Sequence, residues 1–204
     1  MRLPPFFSFA VAVRAGRNVL FSGIALLAMG GIAHAAESFS VSAERNGDAV
    51  QVDARATIKA PFALIHDTLT DYDHLADFIP GMSRSRLLER RDKTAIVEQS
   101  GVARLWFLRF PIDVTVETGE PSPSVISVRL LKGNLKQLNG RYDIEKRDGD
   151  DNYALHWSGI IQPGISVPSA IAVPLLRRNI SEQFRGMVDE IERRATLRAP
   201  NLPD

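Results

Sequence analysis

Asp67, Asp71, Asp73, His74 and Asp77 form the densest group of side chains able to hold a hard cation or exchange protons. The same spacing has a plainer use. Asp71 or Asp73 can cap a short helix while the others face water and Tyr72, Leu75 and Phe78 pack inward. That account needs fewer coincidences, so no metal site and no cofactor is assigned. For proton transfer the modest candidates are Tyr142, His156 and Arg104. His156 alternates away from Tyr153, Leu155 and Trp157, which puts it on the opposite face of a strand from them. No serine stands in a nucleophile-elbow pattern, and the glycines lack phosphate-loop spacing. The chain has no cysteine, which excludes disulfides, thiolate metal sites and a cysteine nucleophile. No catalytic residue is assigned, and a non-enzymatic role is favoured.

The elements that would position these groups are clearer than the groups themselves. Leu176, Ile180, Phe184, Met187, Val188, Ile191 and Ala195 recur at intervals of three and four, one stripe of a long helix. Arg177, Arg178, Glu182, Arg185, Asp189, Glu190 and Arg193 give the other face to water. Pro174 lies just ahead, and its missing N–H predicts a kink or a separate first turn ending at Val173. Upstream, Val50, Val52, Ala54, Ala56 and Ile58 alternate with polar residues as in a half-buried strand, and Asn46-Gly47-Asp48 can turn it back on Phe39–Ala43. Two short helices are predicted after Pro61, up to the Pro80-Gly81 stop. Strands then follow over 83–90, 94–100, 102–117, 125–131, 136–146 and 152–162. Asp148–Asp151 is a hairpin loop and Pro163-Gly164 closes the last strand. Consecutive hairpins make the sheet antiparallel.

Within 102–117, Trp106, Leu108 and Phe110 oppose Leu105 and Phe107, so both faces of that strand are apolar. One face can line the core. The other needs a neighbouring element, a partner or a membrane, and Leu105 and Phe107, flanked by Arg104 and Arg109, are candidates for peripheral contact with acidic lipids.

Residues 1–35 contain Arg2, Arg14 and Arg17 but no acidic residue, followed by an apolar run from Val19 to Ile32 and then Ala33-His34-Ala35. This is the pattern of a secretory signal peptide cleaved before Ala36, with a periplasmic or secreted product. The competing reading is a retained N-terminal anchor, although the run is shorter than the ~20 residues that span a bilayer. Without those three arginines the 25 basic residues fall to 22 against 24 acidic ones, a formal net charge of −2 in place of +1. Such a chain lacks the electrostatic footprint of a nucleic-acid binder. The organisation is therefore 1–35 signal peptide, 36–47 polar segment, 48–198 folded domain and 199–204 tail.

Three segments carry a family likeness: ATIKAPFALIHDTLTDYDHLADFIPGMSRSRLLER at 56–90, LKGNLKQLNGRYDIE at 131–145 and ISEQFRGMVDEIERR at 180–194. Together with the element order they resemble the START-like (SRPBCC) superfamily, specifically its polyketide cyclase/dehydrase and coenzyme Q-binding (COQ10-like START domain) branch. The resemblance spans roughly residues 48–196. It implies an α+β helix-grip fold, an antiparallel sheet of about seven strands wrapped around a long C-terminal helix, with two short helices after the first strand. It also implies a cavity for an apolar molecule such as a lipid, isoprenoid quinone or polyketide. The inward-facing residues that would line it are Trp106, Phe110, Leu130, Tyr142, Trp157, Leu176, Ile180 and Phe184, with entry by movement of the loop at 162–167. Two other functions remain open: a cyclase or dehydratase, and an envelope interaction module whose cavity is filled by side chains.

Overall fold

The computed structural model describes residues 39–198. The signal-peptide, cleavage-site and tail assignments lie outside them. The elements run β1 (Phe39–Asn46), β2 (Ala49–Lys59), α1 (Phe62–Leu69), α2 (Leu75–Phe78), β3 (Met82–Arg91), β4 (Thr94–Leu105), β5 (Leu108–Ser122), β6 (Val125–Gly133), β7 (Leu135–Lys146), β8 (Asn152–Pro163) and α3 (Ser169–Arg198). All eight strands form one sheet in the order β1-β2-β8-β7-β6-β5-β4-β3. Every pairing is antiparallel. The only neighbours not joined by a hairpin or tight turn are β2 and β8, brought together with Val52 facing Gly159 and Ala54 facing Trp157. The fold is the α+β helix-grip arrangement.

Period-two patterning does what it must in β2: Val52, Ala54, Ala56 and Ile58 are all at most 3% exposed. They meet the apolar stripe of α3, where Phe184, Met187, Val188 and Ile191 are buried. Burial of each large side chain contributes about 1.5–3 kcal/mol, so this seam is the main source of cohesion. α3 lies against β1, β2, β4 and α1. It therefore bridges the sheet from one side to the other and stands away from the middle strands.

Several expectations need correction. The expected hairpin partner of β2 at Phe39–Ala43 extends to Asn46 as β1, which takes up most of the segment read as polar, and the sheet has eight strands. α3 runs unbroken through Pro174. The proline leaves the Ala170 carbonyl without its N–H partner, and the helix start is held by the Pro168 carbonyl, which accepts from the N–H groups of Ile171 and Ala172 at 2.8 and 2.9 Å. Neither Asp71 nor Asp73 caps α2. His74 occupies that position without a side-chain bond, and Asp73 accepts instead from the Leu87 N–H at 2.8 Å.

The largest correction is at 102–117, which is not one strand. β4 continues through Gly101 to Leu105, a two-residue turn of Trp106 and Phe107 reverses the chain, and Leu105 pairs with Leu108. Gly101 is needed because a Cβ there would lie 2.4 Å from the Gly81 carbonyl oxygen on the neighbouring strand. Leu105 is covered by its own domain: with Ala103 and Leu175 it forms a small second core on which Phe110 and Ile171 pack.

Candidate functional site

A cavity of about 160 Å³ lies between α3, the α1–α2 segment and the inner faces of β3 to β8. Its roof is Leu69, Tyr72, Leu75 and Ile79; its far wall includes Val116, Ile126 and Val128; Phe184 and Met187 reach in from α3. A second volume of about 120 Å³ continues between the first half of α3 and β4, β5, β7 and β8. Met82, Gln99, Leu138, Ile161, Ile180 and Gln183 border both. Each is smaller than the roughly 300–1,000 Å³ of ordinary ligand pockets, and together they fall just short of the lower edge of that range.

Of the residues expected to line the cavity, Tyr142, Trp157, Ile180 and Phe184 border its larger part, and Leu176 and Ile180 its continuation. Leu130 is partly buried against the main core but outside the wall, and Phe110 belongs to the small core with Leu175. Trp106 is 75% exposed at the hairpin tip, because the turn takes it out of the strand alternation on which its inward position rested. The two glycines Gly140 and Gly159 pair across β7 and β8, and the Trp157 indole lies over both.

The polar members of the wall were not anticipated: Tyr72, Gln99, Thr118 and Gln183 join Tyr142. Gln99 and Thr118 stand at inward positions of otherwise apolar rows, Ala95-Val97-Gln99 and Val114-Val116-Thr118. Gln183 falls within the α3 stripe, three residues after Ile180. A polar residue interrupting an inward row is the signal that could have found them. The Tyr72 hydroxyl is buried and makes no hydrogen bond of good geometry among the described residues, although the Thr118 side chain lies close enough to oppose the effect of burial on it. Beside it, Thr118 donates to the Ala95 carbonyl at 3.4 Å. Burial pushes the Tyr142 hydroxyl up to about 12, with Tyr72 adding to the shift, and burial also raises Tyr72. At neutral pH both are therefore hydrogen-bond donors and neither is a base.

The other candidates lie outside this space. His156 is on the outer face of the sheet, its Nε2 3.3 Å from Asp53 Oδ1, and Arg104 is exposed. Asp71 meets His74 Nδ1 at 2.6 Å and Arg194 at 2.9 Å. Among the described residues no three His, Cys, Asp or Glu side chains are placed to hold a metal ion. In the loop after β8, Gly164 permits close packing, since a Cβ there would run into the Asn134 carbonyl oxygen.

The profile of the family described as "Polyketide cyclase / dehydrase and lipid transport" matches residues 58–188. The chain belongs to this family. No curated protein sequence shows significant similarity to it. Among solved structures, a STAR-related lipid transfer protein from Xanthomonas axonopodis superposes with a TM-score of 0.62 at 15% identity, covering 76% of this chain and 94% of that one. The Zhui aromatase/cyclase from a Streptomyces species gives 0.60 at 18% identity, covering 75% and 98%. A START superfamily protein from Mycobacterium smegmatis gives 0.58 at 14% identity, covering 72% and 97%. Likeness at these identities establishes the START-like fold.

Proposed function

We propose that this protein is an exported carrier of an apolar small molecule, a lipid or isoprenoid quinone, held between the sheet and α3. The observation that carries the proposal is the chemistry of the cavity wall: aliphatic and aromatic throughout, with two tyrosines, two glutamines and a threonine, and no His, Asp, Glu, Lys or Arg. Burial of a tail supplies affinity, and a few polar groups fix orientation. Tyrosine hydroxyls and glutamine amides donate hydrogen bonds, so the matching group on the ligand is a carbonyl or ether oxygen. A tail longer than the two volumes together can hold requires the α1–α2 roof to move. A cyclase or dehydratase would need an acid–base pair, and Tyr142, held at about 12, is the only one of the three earlier candidates beside the cavity. Such a carrier loads and unloads at a membrane, by way of the hairpin end that carries Phe107; nucleic acid has no part in its work.

Native mass spectrometry of the protein from its own cell envelope tests the ligand. A co-purifying apolar molecule, or uptake of an added fatty acid or quinone, is the expected result. Protein that repeatedly arrives alone and ignores both would refute the carrier and leave the interaction module. Sequencing of the mature N-terminus tests export, with Ala36 expected first.

A further inference from the structure

Trp106 and Phe107 are adjacent, 75% and 86% exposed, and together form the whole tip of the β4–β5 hairpin. Trp106 has φ +52°. The other non-glycine residues with positive φ among those described are Asp92 and Asp151, a residue type that tolerates the left-handed region; a tryptophan there is sterically disfavoured. A two-residue hairpin wants glycine, asparagine or aspartate at such a position. Strain maintained at an exposed apolar tip is a mark of use.

Behind the tip, Arg104 and Arg109 face each other as a cross-strand pair. Like charges directly opposite repel, and neither arginine forms an ion pair among the described residues. An anionic bilayer would cover the exposed aromatics and supply counter-charge to the arginine pair. We infer that the β4–β5 tip is a membrane anchor, inserting Trp106 and Phe107 among lipid headgroups while Arg104 and Arg109 bind anionic lipid. Tryptophan favours that boundary because its ring is apolar and its N–H polar, and arginine stems can lie along apolar surface with their heads in the headgroup layer. A protein partner suits the tip less well. A narrow two-residue knuckle cannot supply the roughly 1,000 Å² that a specific interface needs.

The hairpin also rests on the first turns of α3 through Leu105, Phe110 and Leu175, and the smaller cavity volume ends beside Ala103 and Ile112. Insertion of the tip would bring that end of the cavity to the bilayer. The inference gives the carrier reading its site of exchange, but the anchor itself is testable alone.

The test uses the full chain with vesicles of phosphatidylcholine containing phosphatidylglycerol, some of it brominated. Trp106 fluorescence is expected to shift to the blue and be quenched, while Trp157, buried in the cavity wall, gives a constant background seen alone in Trp106→Phe. Arg104→Gln with Arg109→Gln should weaken vesicle affinity about 25-fold, at about five-fold per charge. Trp106→Gly should abolish insertion yet raise the melting temperature, since glycine adopts positive φ freely. An unquenched Trp106 on these vesicles overturns the inference, as does undiminished vesicle affinity in the double arginine variant. Ligand retained by Trp106→Gly separates the two proposals: loss of anchoring leaves the carrier reading intact, and quenching in a protein that holds no ligand leaves the anchor intact.

Discussion

Arg194 donates through Nη2 to Asp71 Oδ2 at 2.9 Å, joining residues 123 positions apart in the chain. Its Nε donates at the same time to Glu190 Oε1, one turn back on α3, at 2.6 Å. The guanidinium is thus pinned on its own helix and presented to the turn between α1 and α2, with its Cζ 5.4 Å from the centroid of the Phe78 ring. Because that turn leads into Tyr72, Leu75 and Ile79, the pair latches the cavity roof to α3.

Arg194→Ala should therefore loosen the roof specifically. The expected loss of stability is about 1.5–3 kcal/mol at most, the range for hydrogen bonds to charged groups, and less to the extent that water screens the pair. Backbone hydrogen exchange over residues 70–79 should accelerate more than in β2 or β8, and exchange of bound ligand should quicken with it. Arg194→Lys should rescue little, since an ammonium cannot bond both carboxylates in the same planar geometry. Unchanged protection over 70–79 in the alanine variant would show that the roof is held by its apolar contacts alone.

The latch also has a pH window. Hydrogen bonds from Arg193, with those from Arg194, outweigh burial and hold the Glu190 carboxyl at about 2, below its ordinary 4.5. For Asp71, burial alone would raise the carboxyl, but bonds from His74 and Arg194 bring it below its usual value. A depressed carboxyl contributes stability that is present above its unfolded pKa and lost as pH falls through the folded one. The Asp71 hydrogen bond and charge raise His74 above 6.5, so its contribution is present below 6.5 and lost as pH rises through the raised value. Melting temperature should accordingly fall between about pH 4.5 and 2 and decline again as pH rises above 6.5. Glu190→Gln should shrink the acid limb to the part Asp71 contributes, and His74→Asn should flatten the alkaline one. If both limbs keep their full depth in the double variant, other groups govern the profile.

The parts of this architecture that follow local periodicity were legible in the chain. The α3 stripe from Leu176 to Ile191, the alternation of β2 and the turns at Asn46-Gly47 and Asp148–Asp151 all announce themselves by spacing or turn chemistry. The turn at Trp106-Phe107 does not. Two aromatics carry none of the usual turn preferences, and their alternation continues smoothly with Leu108 and Phe110 as if the strand ran on. Alternation therefore puts Trp106 inside and Leu105 outside, the reverse of their positions. Tyr72 was read as packing but not as part of the cavity wall, because only the pairing of β3 to β5 and the seating of α2 bring it over that space. The Arg194–Asp71 latch is illegible for the same reason: nothing local links positions so far apart.

Trp157 owes its place to missing side chains. A Cβ on Gly159 would lie 2.6 Å from Cη2 of the indole, and one on Gly140 would lie 3.1 Å from Cζ2. Gly159→Ala should push the ring towards the cavity and cost about 1–3 kcal/mol by overpacking. Gly140→Ala should cost less, since a shift of a few tenths of an ångström suffices. Near-ultraviolet circular dichroism should change in the Gly159 variant, and ligand uptake should fall with it. A variant that keeps both the spectrum and ligand uptake would mean that the ring can move without entering the cavity.

The unpartnered hydroxyl of Tyr72 gives the sharpest test of how the cavity recognises its ligand. Leaving such a group buried and unpaired costs about 1–3 kcal/mol, which the fold recovers when the oxygen is deleted. Tyr72→Phe should therefore be at least as stable as the parent, by up to about 1 kcal/mol after small repacking losses. The same deletion should weaken a ligand whose carbonyl or ether oxygen pairs with that hydroxyl, by roughly ten-fold, the worth of one neutral hydrogen bond in a dry site. Tyr142→Phe serves as the comparison, because Tyr142 borders the same volume but its hydroxyl is not among the orphaned atoms. Thermal melts give the first quantity and competition for the bound ligand the second. A variant that gains stability and keeps full affinity would show that the hydroxyl is a cost of the fold with no part in binding, and would move the polar recognition to Gln99 and Gln183 where the two volumes meet.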